Sequence, residues 1–269
     1  MISTTDRAFV GIIGGSGFYD WSANDVEWTK VTTPYGAPSE RIAISTVNGI
    51  KIAFLPRHGA HHQIPPHKIN YRANLFALKS LGVTRVLAPS AVGSLQPHIH
   101  PGSFVINDQF VDRTSGRQDT FYDGPMATHV STAEPYCDEL RQTAIDCAER
   151  LGITVHRKGT CVTIQGPRFS TRAESEWFTR MGWDVVTMTQ YPEVALAREL
   201  ALCYINISLV TDYDAGTQSN QKHVETTDVM EVLSQNTARA RKLLWAIVES
   251  LNSPATCSCR FALDRATLG

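Results

Sequence analysis

Two aspartates, Asp212 and Asp214, follow an apolar stretch and are separated by a single residue. The stretch over residues 204–210 is short and rich in β-branched side chains, which predicts a β-strand. Because side chains alternate along a strand, both carboxylates should point to the same side near its carboxyl end. Such a pair could ligate a metal, act as acid and base, or bind the hydrogen-bond donors of a nitrogen heterocycle. An aspartate-rich turn that only closes the strand is the structural alternative.

Two other predicted strands end in residues that suit an anion. The strand over residues 9–13 leads into the glycine loop 14–17, where backbone N–H groups can approach phosphate oxygens and Ser16 adds a hydroxyl. The strand over residues 50–55 precedes Arg57, which can hold phosphate through two hydrogen bonds, and His58, which can donate another. A tight turn and a surface ion pair are the structural alternatives. The glycine spacing fits neither G-x-G-x-x-G nor a loop ending in G-K-[ST], which disfavours a nucleotide cofactor.

Three further loops follow predicted strands and could complete one ligand site. Residues 89–94, after a strand over 83–88, are small and suit a flat ligand or a phosphate near the backbone. Residues 166–175, after a strand over 159–165, include Phe169, which could stack on a base or act as a hydrophobic plug. A strand over residues 185–189 ends in Met188, which could line a sugar pocket or pack in the core, and Thr189, which could donate to phosphate.

Histidines close together in sequence raise the question of a zinc site. His58, His61, His62 and His67 lie in one segment, but their spacing does not match HExxH. Prolines at positions 65 and 66 would also break a helix that could present them together. The sequence therefore disfavours a zinc site at these histidines.

Six cysteines in 269 residues are too few for a disulfide scaffold. Cys257 and Cys259, close to the C-terminus, could exchange, bind a metal or form a strained disulfide. Nothing else in the tail completes a zinc-binding set, so structural thiols are the default expectation. We expect no metal in the functional site.

The elements that position these groups alternate between short strands and helical patterns. Helices are predicted over residues 70–78, 194–200 and 229–251, the last of which could close over the pocket. No linker, charge block or repeat divides the chain. The sequence therefore predicts an α/β fold in a single domain spanning residues 1–269, with a flexible tail from about residue 253.

Composition limits the classes of partner. The chain is 42% hydrophobic and 19% charged, with a formal net charge of -1 and a pI of about 6.7, so it has no basic field for nucleic acid or an anionic membrane. No segment resembles a membrane span or a signal peptide. We expect a cytoplasmic protein that binds a small molecule, and the spatially simplest ligand set is phosphate with a nitrogen base.

The chain resembles the trimeric purine nucleoside phosphorylases, and within them the 5′-methylthioadenosine phosphorylases, over almost its whole length. The resemblance rests on seven motifs in the family's order, at residues 14–17, 56–59, 90–94, 108–114, 166–170, 188–193 and 211–214. It implies a mixed central β-sheet flanked by α-helices, a homotrimer, and no metal or organic cofactor, with inorganic phosphate as co-substrate. It also implies purine salvage by phosphorolysis of S-methyl-5′-thioadenosine to adenine and 5-methylthioribose 1-phosphate.

The resemblance also implies roles for individual residues. Phosphate would be bound by Ser16, Arg57, His58, Ser90 and Thr189. The ribosyl unit and the purine would be bound by Ala91, Phe169, Met188, Thr211, Asp212 and Asp214, with Ser170 and Thr226 setting specificity and His129 reaching the neighbouring subunit's sugar pocket. For catalysis, we expect Asp212 to donate a proton toward purine N7 while Asp214 accepts from the exocyclic amine.

Two departures from the methylthioadenosine pattern leave the substrate open. Residues 89–91 are Pro-Ser-Ala where that group usually has two threonines before alanine, and Thr226 is polar where a methylthio group suits an apolar residue. A phosphorylase acting on 6-oxopurine nucleosides or on 5′-methylthioinosine is therefore an alternative. A non-catalytic nucleoside-binding protein and a zinc hydrolase are the alternatives from other classes.

Overall fold

The computed structural model describes residues 9–18, 26–215, 217, 226–251, 255–264 and 266; side chains 226–231 and 233 lie outside this description. Among these residues, eleven strands form one sheet. The strands are β1 Phe9–Gly14, β2 Glu27–Thr29, β3 Ile42–Val47, β4 Ile50–Pro56, β5 Arg85–Ser94, β6 Phe104–Ile106, β7 Gln109–Arg113, β8 Val155–His156, β9 Thr160–Ile164, β10 Val185–Thr187 and β11 Cys203–Tyr213. The helices are α1 Tyr71–Ser80, α2 Asp138–Arg150, α3 Arg172–Arg180, α4 Gln190–Glu199 and α5 Thr226–Ser250.

Strand β5 organises the sheet. It pairs in parallel with β1 and β11 and antiparallel with β10, which in turn runs parallel to β9. Strand β4 lies parallel to β1 on its other side. The carboxyl ends of β1 and β10 therefore approach the middle of β5 from opposite directions. This mixed sheet with helices on its faces confirms the expected α/β fold.

Apolar residues bury both faces of the sheet. On one face, α2 and α5 pack through Leu140, Ile145, Leu243 and Ile247. On the other face, α1 and α4 pack against the strands in a second cluster that contains Leu75 and Leu196. Clusters on both faces hold the central strands rigidly, so the loops at their ends have a fixed foundation.

The predicted loop over residues 89–94 is wrong, because these residues continue β5. Proline and small residues usually interrupt a strand. Here pairing along β11 keeps the segment extended, with Pro89 opposite Ile207 and Val92 opposite Val210. Strand β11 also continues past its predicted end, through a bulge between Val210 and Asp212. Strand β10 ends at Thr187, so Thr189 lies instead at the N-cap position of α4.

The tail is partly described. Residues 255–264, part of the segment expected to be flexible, lie against the body of the protein through the buried Cys259 and a 3-10 turn over Ser258–Phe261. Within the described part of the chain, no helix has the length and apolar character needed to cross a membrane.

Candidate active site

A cavity of about 640 Å³ lies where the strand ends converge on β5. Its walls come from the ends of β1, β4, β9, β10 and β11 and from the middle of β5. The structure brings together all the predicted phosphate-binding and substrate-binding residues around this cavity, and the predicted specificity residue Ser170. These are Ser16, Arg57, His58, Ser90, Ala91, Phe169, Ser170, Met188, Thr189, Thr211, Asp212 and Asp214.

Two predicted residues are absent from the described wall of the cavity, one by its position and one because its side chain is not described. His129 is exposed and donates its backbone N–H to the Ala266 carbonyl at 2.8 Å, so its expected contact with a neighbouring subunit stays a prediction. Thr226 is the first residue of α5, and its side chain lies outside the described part of the chain.

Arg57 is held in a buried ion pair that the sequence analysis missed. Its Nε and Nη2 donate to the two carboxylate oxygens of Glu193 at 2.7 and 2.8 Å, and both side chains are 1% exposed. Tyr204 donates to the same carboxylate at 2.7 Å. Burial opposes the positive charge of Arg57, but the carboxylate of Glu193 more than offsets it and raises the pKa of the guanidinium.

This pair replaces the surface ion pair that was the structural alternative for Arg57. The third nitrogen of the Arg57 guanidinium, Nη1, donates to the Pro89 carbonyl at 3.2 Å. A Cβ at Gly15 would lie 2.8 Å from that carbonyl and 2.9 Å from Nη1, so glycine is required for the β1 loop to approach this closely. The guanidinium of Arg57 therefore lies at the cavity wall with a positive charge and a fixed orientation. The sequence signal available for Glu193 was an acid directly before the apolar residues 194–197 of a predicted helix.

His58 is neutral near pH 7. Burial, the charge of Arg57 and the neighbouring His62 lower the pKa of its imidazole to about 4, although its Nδ1 is hydrogen-bonded to the Ile64 carbonyl at 2.9 Å. A carbonyl can only accept, so Nδ1 carries the proton and Nε2 is an acceptor. In the neutral ring Nε2 is thus an acceptor, and the expected hydrogen bond from His58 to phosphate, which needs a proton on Nε2, stays a prediction.

Two hydroxyl groups at the cavity wall can serve a ligand, and a neighbour orients one of them. Asn206 donates to Ser90 Oγ at 2.9 Å and to the Ala88 carbonyl at 2.8 Å. Because Ser90 Oγ accepts this bond, its own hydrogen is available to a ligand. Thr189 is buried directly before α4 and makes no side-chain cap there.

Asp212 is the most strongly perturbed carboxyl of the site. Burial raises its pKa from 3.8 to about 6; a hydrogen bond from Thr211 at 2.6 Å opposes the rise, and Asp214 adds to it. Thr211 also lies 3.2 Å from the Val92 carbonyl, so the hydroxyl of this bulge residue is fixed. A carboxyl with a pKa near neutrality can transfer a proton to a ligand.

Asp214 is also buried and lines the same cavity as Asp212. Burial raises its pKa, whereas the nearby hydroxyls of Ser175 and Ser170 oppose the rise. Its Oδ2 has no hydrogen-bond partner among the described residues, nor does Ser170 Oγ. Unpartnered buried polar atoms are unfavourable, and their presence beside a cavity indicates groups that a ligand satisfies. The expectation that Asp212 and Asp214 share a face is confirmed, since both line the cavity.

Phe169 is 48% exposed although it lines the cavity. It is therefore not the hydrophobic plug of the structural alternative, and its ring is accessible to a flat ligand. The next element along the chain is α3, which begins with a capping box formed by Thr171 and Glu174. The residues of the cavity wall that the sequence analysis did not select are Gly15, His62, Gln63, Pro65, Pro66, Val92, Gly93, Ile164, Pro167, Val186 and Thr187.

The histidine segment does not form a metal site. Among the described residues, no group of three or more potential ligands includes His58, His61, His62 or His67. His58 and His62 instead stack, with ring centroids 4.4 Å apart.

Comparison with known proteins gives a uniform result. The family model of the phosphorylase superfamily matches residues 9–249. S-methyl-5'-thioadenosine phosphorylase of Thermofilum pendens is 50% identical over 98% of this chain and 100% of its own length. The enzyme of that name from Saccharolobus solfataricus is 48% identical over 99% of both chains. Methylthioadenosine phosphorylase from Schistosoma mansoni, solved in complex with adenine, has a TM-score of 0.86 and 41% identity over 91% of this chain and 92% of its own.

Proposed function

Because the chain belongs to the phosphorylase superfamily, we propose that it is a pentosyltransferase that cleaves S-methyl-5′-thioadenosine with inorganic phosphate. The products would be adenine and 5-methylthioribose 1-phosphate, a step of purine salvage. The observation that carries the proposal is one cavity lined both by the cation Arg57 and by Asp212 and Asp214. Relatives with 45 to 50% identity carry the same enzyme name, and solved relatives bind adenine or methylthioadenosine.

The reaction divides the work among these groups. A phosphate oxygen attacks the C1′ atom of the ribosyl unit while the electrons of the C1′–N9 bond move into the purine. The sugar gains positive charge in the transition state, and bound phosphate is both nucleophile and counter-ion. Asp212 transfers its proton to purine N7, so that the base leaves as neutral adenine, and the carboxylate takes a new proton from water.

Phosphate binding would depend on the fixed orientation of the Arg57 guanidinium. Glu193 occupies two donors of Arg57 and thereby fixes the plane in which the remaining N–H groups lie. Such preorganisation costs no reorganisation during the reaction. Ser16, Ser90 and Thr189 would add hydroxyl donors, and His58, once the bound anion has raised its pKa and Nε2 has taken a proton from solvent, would donate to phosphate.

The base end favours a 6-aminopurine. Oδ2 of Asp214, which has no hydrogen-bond partner among the described residues, is an acceptor and suits an N–H of an exocyclic amine. A 6-oxopurine would place a second acceptor against this oxygen and leave the buried carboxylate unsatisfied, which sites of this kind discriminate against strongly. Phe169 would stack on the ring.

We also propose a cytoplasmic homotrimer in which His129 of one subunit reaches the sugar pocket of the next. The family resemblance supports the trimer, and the exposure of His129 on the isolated chain is compatible with such a contact. Light scattering would give the oligomeric state. His129→Ala should raise the KM for nucleoside and leave the KM for phosphate unchanged if the residue contacts the sugar.

The testing experiment compares initial rates of base release from methylthioadenosine, methylthioinosine, adenosine, inosine and guanosine, each with and without phosphate. Phosphate-dependent release with a preference for methylthioadenosine supports the proposal. A preference for 6-oxopurines would assign the substrate of the alternative phosphorylase, and release without phosphate would indicate a hydrolase. Binding without release would indicate a nucleoside-binding protein.

A further inference from the structure

Four of the six cysteines meet at one point, away from the proposed active site. Cys137 is the N-cap residue of α2, Cys203 is the first residue of β11, and Cys257 and Cys259 flank Ser258 in the C-terminal segment. Their Sγ atoms all lie within 4.8 Å of one another, and those of Cys203 and Cys257 are 3.3 Å apart. Cys257 and Cys259, which have no further cysteine or histidine nearby in the sequence, therefore form a set of four with Cys137 and Cys203.

The size of this cluster matches a tetrahedral metal site. A Zn–S bond of about 2.3 Å places the four sulfurs of a tetrahedron about 3.8 Å apart. Cys137, Cys203 and Cys259 are buried, and Cys257 is partly exposed. Burial shields a bound metal from competing water, and the partly exposed Cys257 leaves a path for the metal to enter.

The backbone around the cysteines is held by specific bonds. Cys137 donates its N–H to the Tyr204 carbonyl at 3.0 Å, which ties the start of α2 to β11. One carboxylate oxygen of Glu139, a residue of α2, accepts from two N–H groups of the C-terminal segment, those of Thr256 and Cys257, each at 2.8 Å. The same oxygen accepts from the Thr256 hydroxyl at 2.6 Å. Hydrogen bonds of this kind orient the ligands of a metal site.

Charges near the cluster suit an anionic complex. Four thiolates around Zn²⁺ carry two net negative charges. Arg85, which is buried, lies directly opposite Cys203 on β5 and forms an ion pair with Glu139 at 3.6 Å. Arg85, although paired with Glu139, would thus place a positive charge beside the complex.

We propose that Cys137, Cys203, Cys257 and Cys259 bind one Zn²⁺ ion in a structural site that fastens the C-terminal segment to α2 and β11. Thiolate ligands select soft or borderline metals, and a complete set of four sulfurs leaves no open position for catalysis. Binding replaces the four thiol protons by four Zn–S bonds and releases the protons to solvent, without oxidation. The site does not rest on the proposed function.

The test begins with full-length protein expressed with zinc and purified under reducing conditions. We expect about one zinc per chain by elemental analysis, and four thiols that react with a thiol reagent only after chelation. Cobalt replacement should give the absorption of tetrahedral Co²⁺–thiolate. Chelation should lower the Tm, and added Zn²⁺ should restore it.

Variants distinguish this site from zinc bound elsewhere. Cys257→Ser and Cys259→Ser should each lose about nine-tenths or more of the zinc, because each removes a ligand. Cys147→Ser is the matched control, since Cys147 is buried in α2 but lies outside the cluster, and it should keep the zinc. Stoichiometric zinc in Cys257→Ser would overturn the proposal. So would wild-type protein that takes up no zinc, whether its four thiols are free or mass spectrometry shows them paired as disulfides.

Discussion

Replacing Asp212 by asparagine should make the protein more stable and nearly inactive. Burial raises the pKa of this carboxyl from 3.8 to about 6. Since one pKa unit corresponds to about 1.4 kcal/mol, the ionised carboxylate costs the folded state about 3 kcal/mol above pH 6. Asparagine has the same shape, cannot ionise, and can still accept the hydrogen bond from Thr211. We therefore expect Asp212→Asn to raise the free energy of unfolding at pH 7 by up to about 3 kcal/mol.

The pH dependence of the difference in unfolding free energy shows whether ionisation of Asp212 causes it. Because the folded pKa of Asp212 is raised, its favourable contribution is complete below pH 3.8 and is lost as the pH rises through about 6. The wild type and Asp212→Asn should therefore differ most above pH 6 and converge toward pH 4. His58, whose pKa is lowered to about 4, has the opposite effect, with stability lost as the pH falls from 6.5 toward 4. It is present in both proteins, so it cancels in the difference.

The assay pairs thermal unfolding between pH 4 and 8 with initial rates of phosphorolysis. For a chain of this size, 3 kcal/mol corresponds to a rise in Tm of up to about 10 °C. Loss of the proton donor should lower kcat by a factor of about one hundred or more, with a smaller effect on KM. Asp264→Asn, at an exposed aspartate, controls for the change in net charge. Full turnover, or a stability difference that does not change between pH 4 and 6, would refute this account of Asp212.

Three further predictions follow from the same site. Glu193→Gln should lower the free energy of unfolding by about 3 kcal/mol and raise the KM for phosphate more than the KM for nucleoside, because it leaves Arg57 buried without a counter-charge. Glu149→Gln, in an exposed pair, should change neither; equal effects of the two substitutions in unfolding and kinetic assays would contradict this explanation. Phe169→Ala should raise the KM for nucleoside about fivefold to a hundredfold through lost stacking, whereas Phe261→Ala, equally exposed but outside the cavity, should leave steady-state kinetics unchanged. Phosphate binding should take up protons near pH 7 because an anion beside neutral His58 raises its pKa, and calorimetry in buffers of different ionisation enthalpy should show that His58→Gln abolishes this uptake.

Much of the site was predictable because polar residues that can bind ligands directly follow the predicted strands in the sequence. Apolar strands followed by Ser16, Arg57 and the two aspartates predict groups at one edge of a sheet, and the structure gathers them around one cavity. What the local pattern did not predict is how distant residues modify these groups. Glu193 is 136 residues from Arg57, and the tautomer of His58 depends on the Ile64 carbonyl.

The remaining differences have tertiary causes. Residues 89–94 have the composition of a loop, yet β11 pairs along them and keeps them in a strand. Cys257 and Cys259 gave no complete ligand set because their neighbours, Cys137 and Cys203, lie far away in sequence. The fold class follows from alternating strands and helical patterns. The sheet is mixed because four strand pairs, β2 with β3, β3 with β4, β5 with β10 and β6 with β11, are antiparallel, and only the family resemblance indicated a mixed sheet.

The most direct test of the central claim is a stoichiometric measurement of the products formed from methylthioadenosine and phosphate. Adenine can be quantified by chromatography, and phosphate bound to sugar by ³¹P NMR. We predict that each adenine released is matched by one phosphate incorporated at C1 of 5-methylthioribose. Adenine formed with free 5-methylthioribose, or formed equally well without phosphate, would contradict phosphorolysis.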